Sequence, residues 1–230
     1  LLHNYFPPPK NHFVLNLASL NSQIFNMSIE HYKRSLDLSS VLDAKVFGLH
    51  AGFLVDPNVQ ELGKSIEKKM MYNKSKSIEQ FCNGLETLIN YAPKISIYVE
   101  NNVFSHDNKN IFESNPFLFT DYDSYKELSA ELDFKIILDV AHLKVSCNSL
   151  SLSFIDQLNK FIAISDYIHI SDNDSLSDSN QFVSEKSKMY EILSALNLEN
   201  KIITLEIYED LSKIISSHNL FSNTKNKILI

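Results

Sequence analysis

The sequence predicts an α/β protein: a parallel sheet with helices outside it, laid out as in a (β/α)8 TIM barrel. Three observations lead there. Short apolar strands alternate with helical stretches along the 230 residues. Five of those strands carry an ionisable residue near the C-terminal end, on the less apolar face. No repeat and no linker divides the chain, so residues 1–230 read as one domain.

The elements follow in order. Leu1-Leu2-His3 reads as the tail of a strand, which predicts that the chain is a fragment. The connection to residue 20 contains Pro7-Pro8-Pro9, which fits neither helix nor central strand. A helix is expected over 22–42, with Ile24, Tyr32, Leu36 and Leu42 among its apolar positions. Strand 45–50 ends in His50, and helix 77–90 sets Ile78, Phe81, Leu85, Leu88 and Ile89 on one side. Strand 94–100 then alternates Ile95, Ile97 and Val99 with Ser96, Tyr98 and Glu100.

Residues 101–120 read as one irregular loop. Helix 122–132, strand 135–140 and helix 151–164 come next, then strand 167–171 and an acidic, serine-rich loop to about 185. Helix 186–196, strand 201–207 and helix 210–217 finish the pattern, and 221–230 reads as a polar tail with an apolar end.

Composition narrows the function classes. The chain is 44% hydrophobic and 21% charged, an ordinary globular balance. No apolar run nears the ~18 residues of a membrane span, and no signal peptide is visible at Leu1-Leu2-His3. A net charge of -7 with one arginine, Arg34, argues against nucleic acid as a partner. Cys82 and Cys147 make no disulfide framework, so the expected location is the reducing cytoplasm.

The strand ends carry the chemistry. His50, Glu100, Asp139, His169 and Glu206 share strand position and face, and His3 would be a sixth. In a (β/α)8 barrel that face lines the interior, and sites sit at the C-terminal mouth. Singly, each has an ordinary reading: a satisfied core histidine, a turn-capping aspartate, a surface glutamate. Together they point at one place. Three carboxylates converging there repel one another unless a cation intervenes. Oxygen and imidazole donors without thiolate suit Mn2+, Mg2+, Co2+ or Zn2+.

These residues resemble the xylose isomerase-like TIM barrels, which include sugar isomerases, sugar epimerases and endonuclease IV (AP endonuclease family 2). The matching pieces span nearly the whole chain: Leu2-His3, Leu15-Asn16-Leu17-Ala18-Ser19, His50-Ala51-Gly52, Val99-Glu100-Asn101-Asn102, Leu138-Asp139-Val140-Ala141-His142, Ile168-His169 through Asp174, and Leu205-Glu206. The resemblance implies that six strands are present and that the first two βα units are missing. It also implies a metal quartet of Glu100, Asp139, His169 and Glu206. Glu100 and Glu206 would be the catalytic pair, moving a proton through an enediolate of a sugar or sugar phosphate. His142, His50, His3 and Lys144 would contact substrate.

The alternatives stay open. His3 and His50, and separately His142 with Asp178, match positions of additional metals in an endonuclease IV-like zinc site for abasic DNA. There the expected Asp-x-His reads Asp178-Ser179-Asn180. A catalytically degenerate barrel that binds a ligand or partner is the third reading. Asp172, Asn173 and Asp174 read as a solvated turn. The expected partner is a small-molecule sugar; a homo-oligomer is left open.

Overall fold

The structure is a computed structural model describing residues 2–222 and the backbone of 227–229. In chain order its elements are β1 (Leu2–His3), α1 (Ser22–Val41), β2 (Val46–His50), α2 (Lys74–Tyr91), β3 (Ser96–Glu100), α3 (His106–Ile111), α4 (Tyr122–Ser129), β4 (Lys135–Asp139), α5 (Val140–Leu150), α6 (Phe154–Ile162), β5 (Tyr167–Ile170), α7 (Lys188–Ser194), β6 (Ile202–Leu205), α8 (Leu211–Ser222) and β7 (Lys227–Leu229). All neighbouring strands are parallel and pair in sequence order, β1 to β7.

The sheet curls tightly. The rings of His3 on β1 and His169 on β5 lie 5.4 Å apart. In a flat sheet four strand spacings would separate those strands by about 19 Å. The curl makes two faces with different contents. Outward, Phe47, Leu49, Ile97, Val99, Ile168 and Ile203 join the main core under the helices. Inward, Tyr98, Ile137 and Tyr167 form a separate buried cluster that fills the lower barrel. The alternation of side chains along each strand explains the division.

Side-chain caps start the helices cleanly. Asn21 opens α1, Asn73 opens α2 and Ser153 opens α6, each accepting a hydrogen bond from a first-turn N–H. Asp139 does the same for α5, so one residue ends a strand and starts a helix.

The structure differs from the sequence expectation at four places. A seventh strand, β7, lies in the stretch read as a tail, against the six strands expected; residues 223–226 and 230 fall outside the described residues. The last helix runs on to Ser222. Helix α3 interrupts the loop expected over 101–120. Helix α5 was not expected at all: eight of its residues are buried, so it shows no polar stripe.

Candidate metal centre

Four strand ends meet at the C-terminal mouth. Glu100 closes β3 and is fully buried, as is Asp139 at the end of β4. His169 lies inside β5. Glu206 is the first residue past β6, and its N–H donates to the Ile170 carbonyl, which continues the ladder by one step. The register is staggered: Glu100 stands opposite Ile137, while Asp139 stands opposite His169. The slope of the barrel brings side chains from different sequence levels to one height.

Distances define the cluster. His169 Nδ1 lies 3.0 Å from Glu100 Oε1, 3.0 Å from Glu206 Oε2 and 4.0 Å from Asp139 Oδ2. His3 Nε2 lies 2.6 Å from Glu100 Oε2, and His50 Nδ1 3.4 Å from it, both outside hydrogen-bond geometry. Gly48 makes room for this. A Cβ there would come within 2.4 Å of His3 Cδ2 and 2.7 Å of Ile137 Cδ1.

His142, in the first turn of α5, is held at both ring nitrogens. Nδ1 donates to the Asn101 carbonyl at 2.8 Å, and Nε2 lies 3.2 Å from Asp178 Oδ2.

Burial and charge pull these groups in opposite directions. Burial alone would raise the Glu100 carboxyl, but the imidazoles of His50, His169 and His3 outweigh it and hold it well below the usual range. Asp139 goes the other way, up to about 7: burial dominates, and His142 only partly offsets it. Burial would lower His169, yet Glu100 and Glu206 carry it well above an ordinary histidine. His142 rises in the same way against Asp139 and Asp178. His50, with less compensation from Glu100, is pushed down to about 4 by burial. Glu206 sits at about 2, where the His169 hydrogen bond helps to overcome burial.

This donor set fits a divalent cation. Glu100 Oε2 and Asp139 Oδ2 are buried without a hydrogen-bond partner, a costly state for a carboxylate oxygen. One donor atom each from Glu100, Asp139, His169 and Glu206 lies within 4.8 Å of the others. Ligands bound at about 2.1 Å sit no more than ~4.2 Å apart, so roughly half an ångström of closure suffices.

Not every residue singled out reaches the cluster. Lys144 turns away: its Nζ bonds Asp172 Oδ1 at 2.7 Å and the Asn173 carbonyl at 2.5 Å. It lines a 240 Å³ cleft with Cys147 and Met189 among the outer helices. The same contact corrects the expected solvated turn at two of its three residues: Asn173 is buried and Asp172 nearly so, while Asp174 is exposed as expected. Asp178 meets His142 but stands apart from the quartet.

Other residues matter more than the sequence suggested. Asn101 clamps the Asp139 backbone, donating to its carbonyl at 3.0 Å and accepting from its N–H at 2.7 Å. Asn102 reaches the carbonyls of Ala51, Gly52 and Leu118. Tyr208 donates to Glu206 Oε1 at 2.9 Å. The only available signal was position: two asparagines directly after Glu100, and a tyrosine two residues after Glu206.

No family model and no curated protein matches the chain by sequence. Solved structures do match. A D-tagatose 3-epimerase-like protein aligns with a TM-score of 0.69 at 18% identity, over 96% of this chain and 75% of that one. The 3-keto-D-glucoside 4-epimerase from E. coli aligns at 0.60 and 12% identity, over 92% and 75%. Endonuclease IV from Thermus thermophilus aligns at 0.60 and 12% identity, over 91% and 73%. At these identities the likeness is one of fold: the chain shares the architecture of these epimerase and endonuclease structures.

Proposed function

We propose that this chain is a divalent-metal-dependent sugar or sugar-phosphate isomerase or epimerase. One observation supports it above the others: Glu100 and Glu206, from well-separated strands, both face His169 Nδ1 at 3.0 Å, beside the unpartnered Asp139 Oδ2. Glu100, Asp139, His169 and Glu206 would hold Mn2+, Mg2+, Co2+ or Zn2+. Such a cation supplies Lewis acidity toward a carbonyl and its neighbouring hydroxyl.

The protein's own groups do the rest. One of Glu100 and Glu206 takes the proton from the carbon beside the carbonyl, and the other returns a proton from its own side. His50 and His3 would face substrate oxygens at the mouth, and His142 would do so through Nε2 in place of Asp178. Asn101 keeps the His142 ring oriented through its carbonyl. A cytoplasmic location belongs to the same reading, with both cysteines free. No helix among the described residues is long and apolar enough to cross a membrane.

A nuclease is the second reading. His3, Glu100 and His169 form another set of donors, and His142 already meets Asp178. Against it, Asn180 stands where the resemblance calls for a histidine, and its amide is spent on Asp178 at 3.4 Å and Ser171 at 3.1 Å.

Two measurements separate these readings. Elemental analysis of purified protein should find about one metal per chain, absent from Glu100→Ala. Ketoses incubated in deuterated water should then gain deuterium beside the carbonyl. Two or three zincs with cleavage of abasic DNA would favour the nuclease. Metal without exchange across a ketose panel would leave a degenerate barrel.

A further inference from the structure

We infer that Tyr167 is a positioning residue of the metal centre, selecting which nitrogen of His169 faces the cation; this rests on the metal-site reading above. Tyr167 opens β5, two residues before His169 on the same inward face, and is fully buried. Its hydroxyl lies 3.3 Å from His169 Nε2 and 2.9 Å from Thr204 Oγ1.

The logic is one of tautomers. His169 Nδ1 is the nitrogen among the carboxylates. A cation takes an imidazole nitrogen only through its lone pair, so the ring's remaining proton must sit on Nε2. Tyr167 Oη is the group that receives it. With Nε2–H donating to Oη, the phenol proton turns to Thr204 Oγ1, and the chain of donors has one consistent direction. With the proton on Nδ1 instead, the chain would have to run the other way, Thr204 Oγ1–H donating to Oη and Oη–H to Nε2, so the tautomer and the direction of the chain switch together.

The tyrosine ring is also wedged in place. It meets His169 edge-on at 5.2 Å and Tyr98 edge-on at 5.7 Å. Removing the hydroxyl therefore leaves the packing intact, and packing and positioning become separable. Tyr98 gives a matched control: it sits in the same interior cluster, but its hydroxyl bonds Asp166 at 3.2 Å, away from the imidazole.

The experiment titrates Mn2+ into metal-free wild-type, Tyr167→Phe, Thr204→Val and Tyr98→Phe proteins, reading free Mn2+ by electron paramagnetic resonance. Circular dichroism confirms that each is folded. Tyr167→Phe should bind Mn2+ about 10–100-fold more weakly, the usual effect of losing an outer-shell partner of a ligand histidine. Thr204→Val should lose less, and Tyr98→Phe should match wild type. Wild-type affinity in Tyr167→Phe, or an equal loss in Tyr98→Phe, would overturn the assignment while leaving the metal site standing. Wild-type protein that takes up no Mn2+ or Zn2+ would overturn the metal-site reading itself, and this inference with it.

Discussion

Two layers of the same barrel interior differ by a single side-chain repeat. Tyr98, Ile137 and Tyr167 fill the lower layer; two residues further along the same strands stand Glu100, Asp139 and His169. Below, the hydroxyls of both tyrosines find partners and Ile137 completes an apolar fill. Above, two buried carboxylate oxygens have none. The lower layer is what a barrel builds for stability; the upper layer gives up stability to hold charge ready. Buried charge in a fold this small is sustained by its neighbours, here three imidazoles around one glutamate.

That contrast can be broken from either side. The largest effect is expected from Glu100→Gln, which keeps the shape and removes the charge. Metal affinity should fall by more than the ~10–100-fold typical of an outer-shell loss, measured by calorimetric titration. In the lower layer, Ile137→Ala should instead cost about 2–5 kcal/mol of folding stability, read by chemical denaturation.

Asp139→Asn sharpens the comparison through pH. In the folded, metal-free chain Asp139 keeps its proton to about 7, whereas an unfolded aspartate loses it near ~3.9. Between those values the native state binds more protons, so stability falls as pH rises. The variant retains the oxygen that caps α5 but should flatten this slope, worth at most about 4 kcal/mol across the window. Denaturation in chelator at several pH values would show it; parallel curves for both proteins would count against the raised carboxyl. The smallest effect is expected at the junction of the layers. Gly48→Ala forces His3 and Ile137 apart and should cost about 1–3 kcal/mol, visible as a lower melting temperature.

Much of this was legible in the sequence because strand parity is unforgiving. Placing Glu100 opposite in face to Val99, or Asp139 to Leu138, needs no tertiary information. What escaped reading lacked a period. Helix α5 is buried on nearly every side, so no polar stripe announces it. Helix α3, with six residues, and β7, with three, are too short to repeat. Asn101 and Asn102 read as loop formers because burial of an asparagine depends on which carbonyls fold over it. Lys144 looked available for the same reason: its partner Asp172 comes from a distant loop.

The staggered register has a consequence for assembly. The quartet exists only if β3, β4, β5 and β6 are all aligned at the level observed. A slip of one residue in any of them would send its ligand out among the helices and bring a neighbour such as Val99, Leu138, Ile168 or Leu205 to the mouth. Ion capture thus works as a checksum on the folded chain. A cation present during refolding rewards the correct alignment of four strands at once, and a misaligned sheet has nothing to offer it.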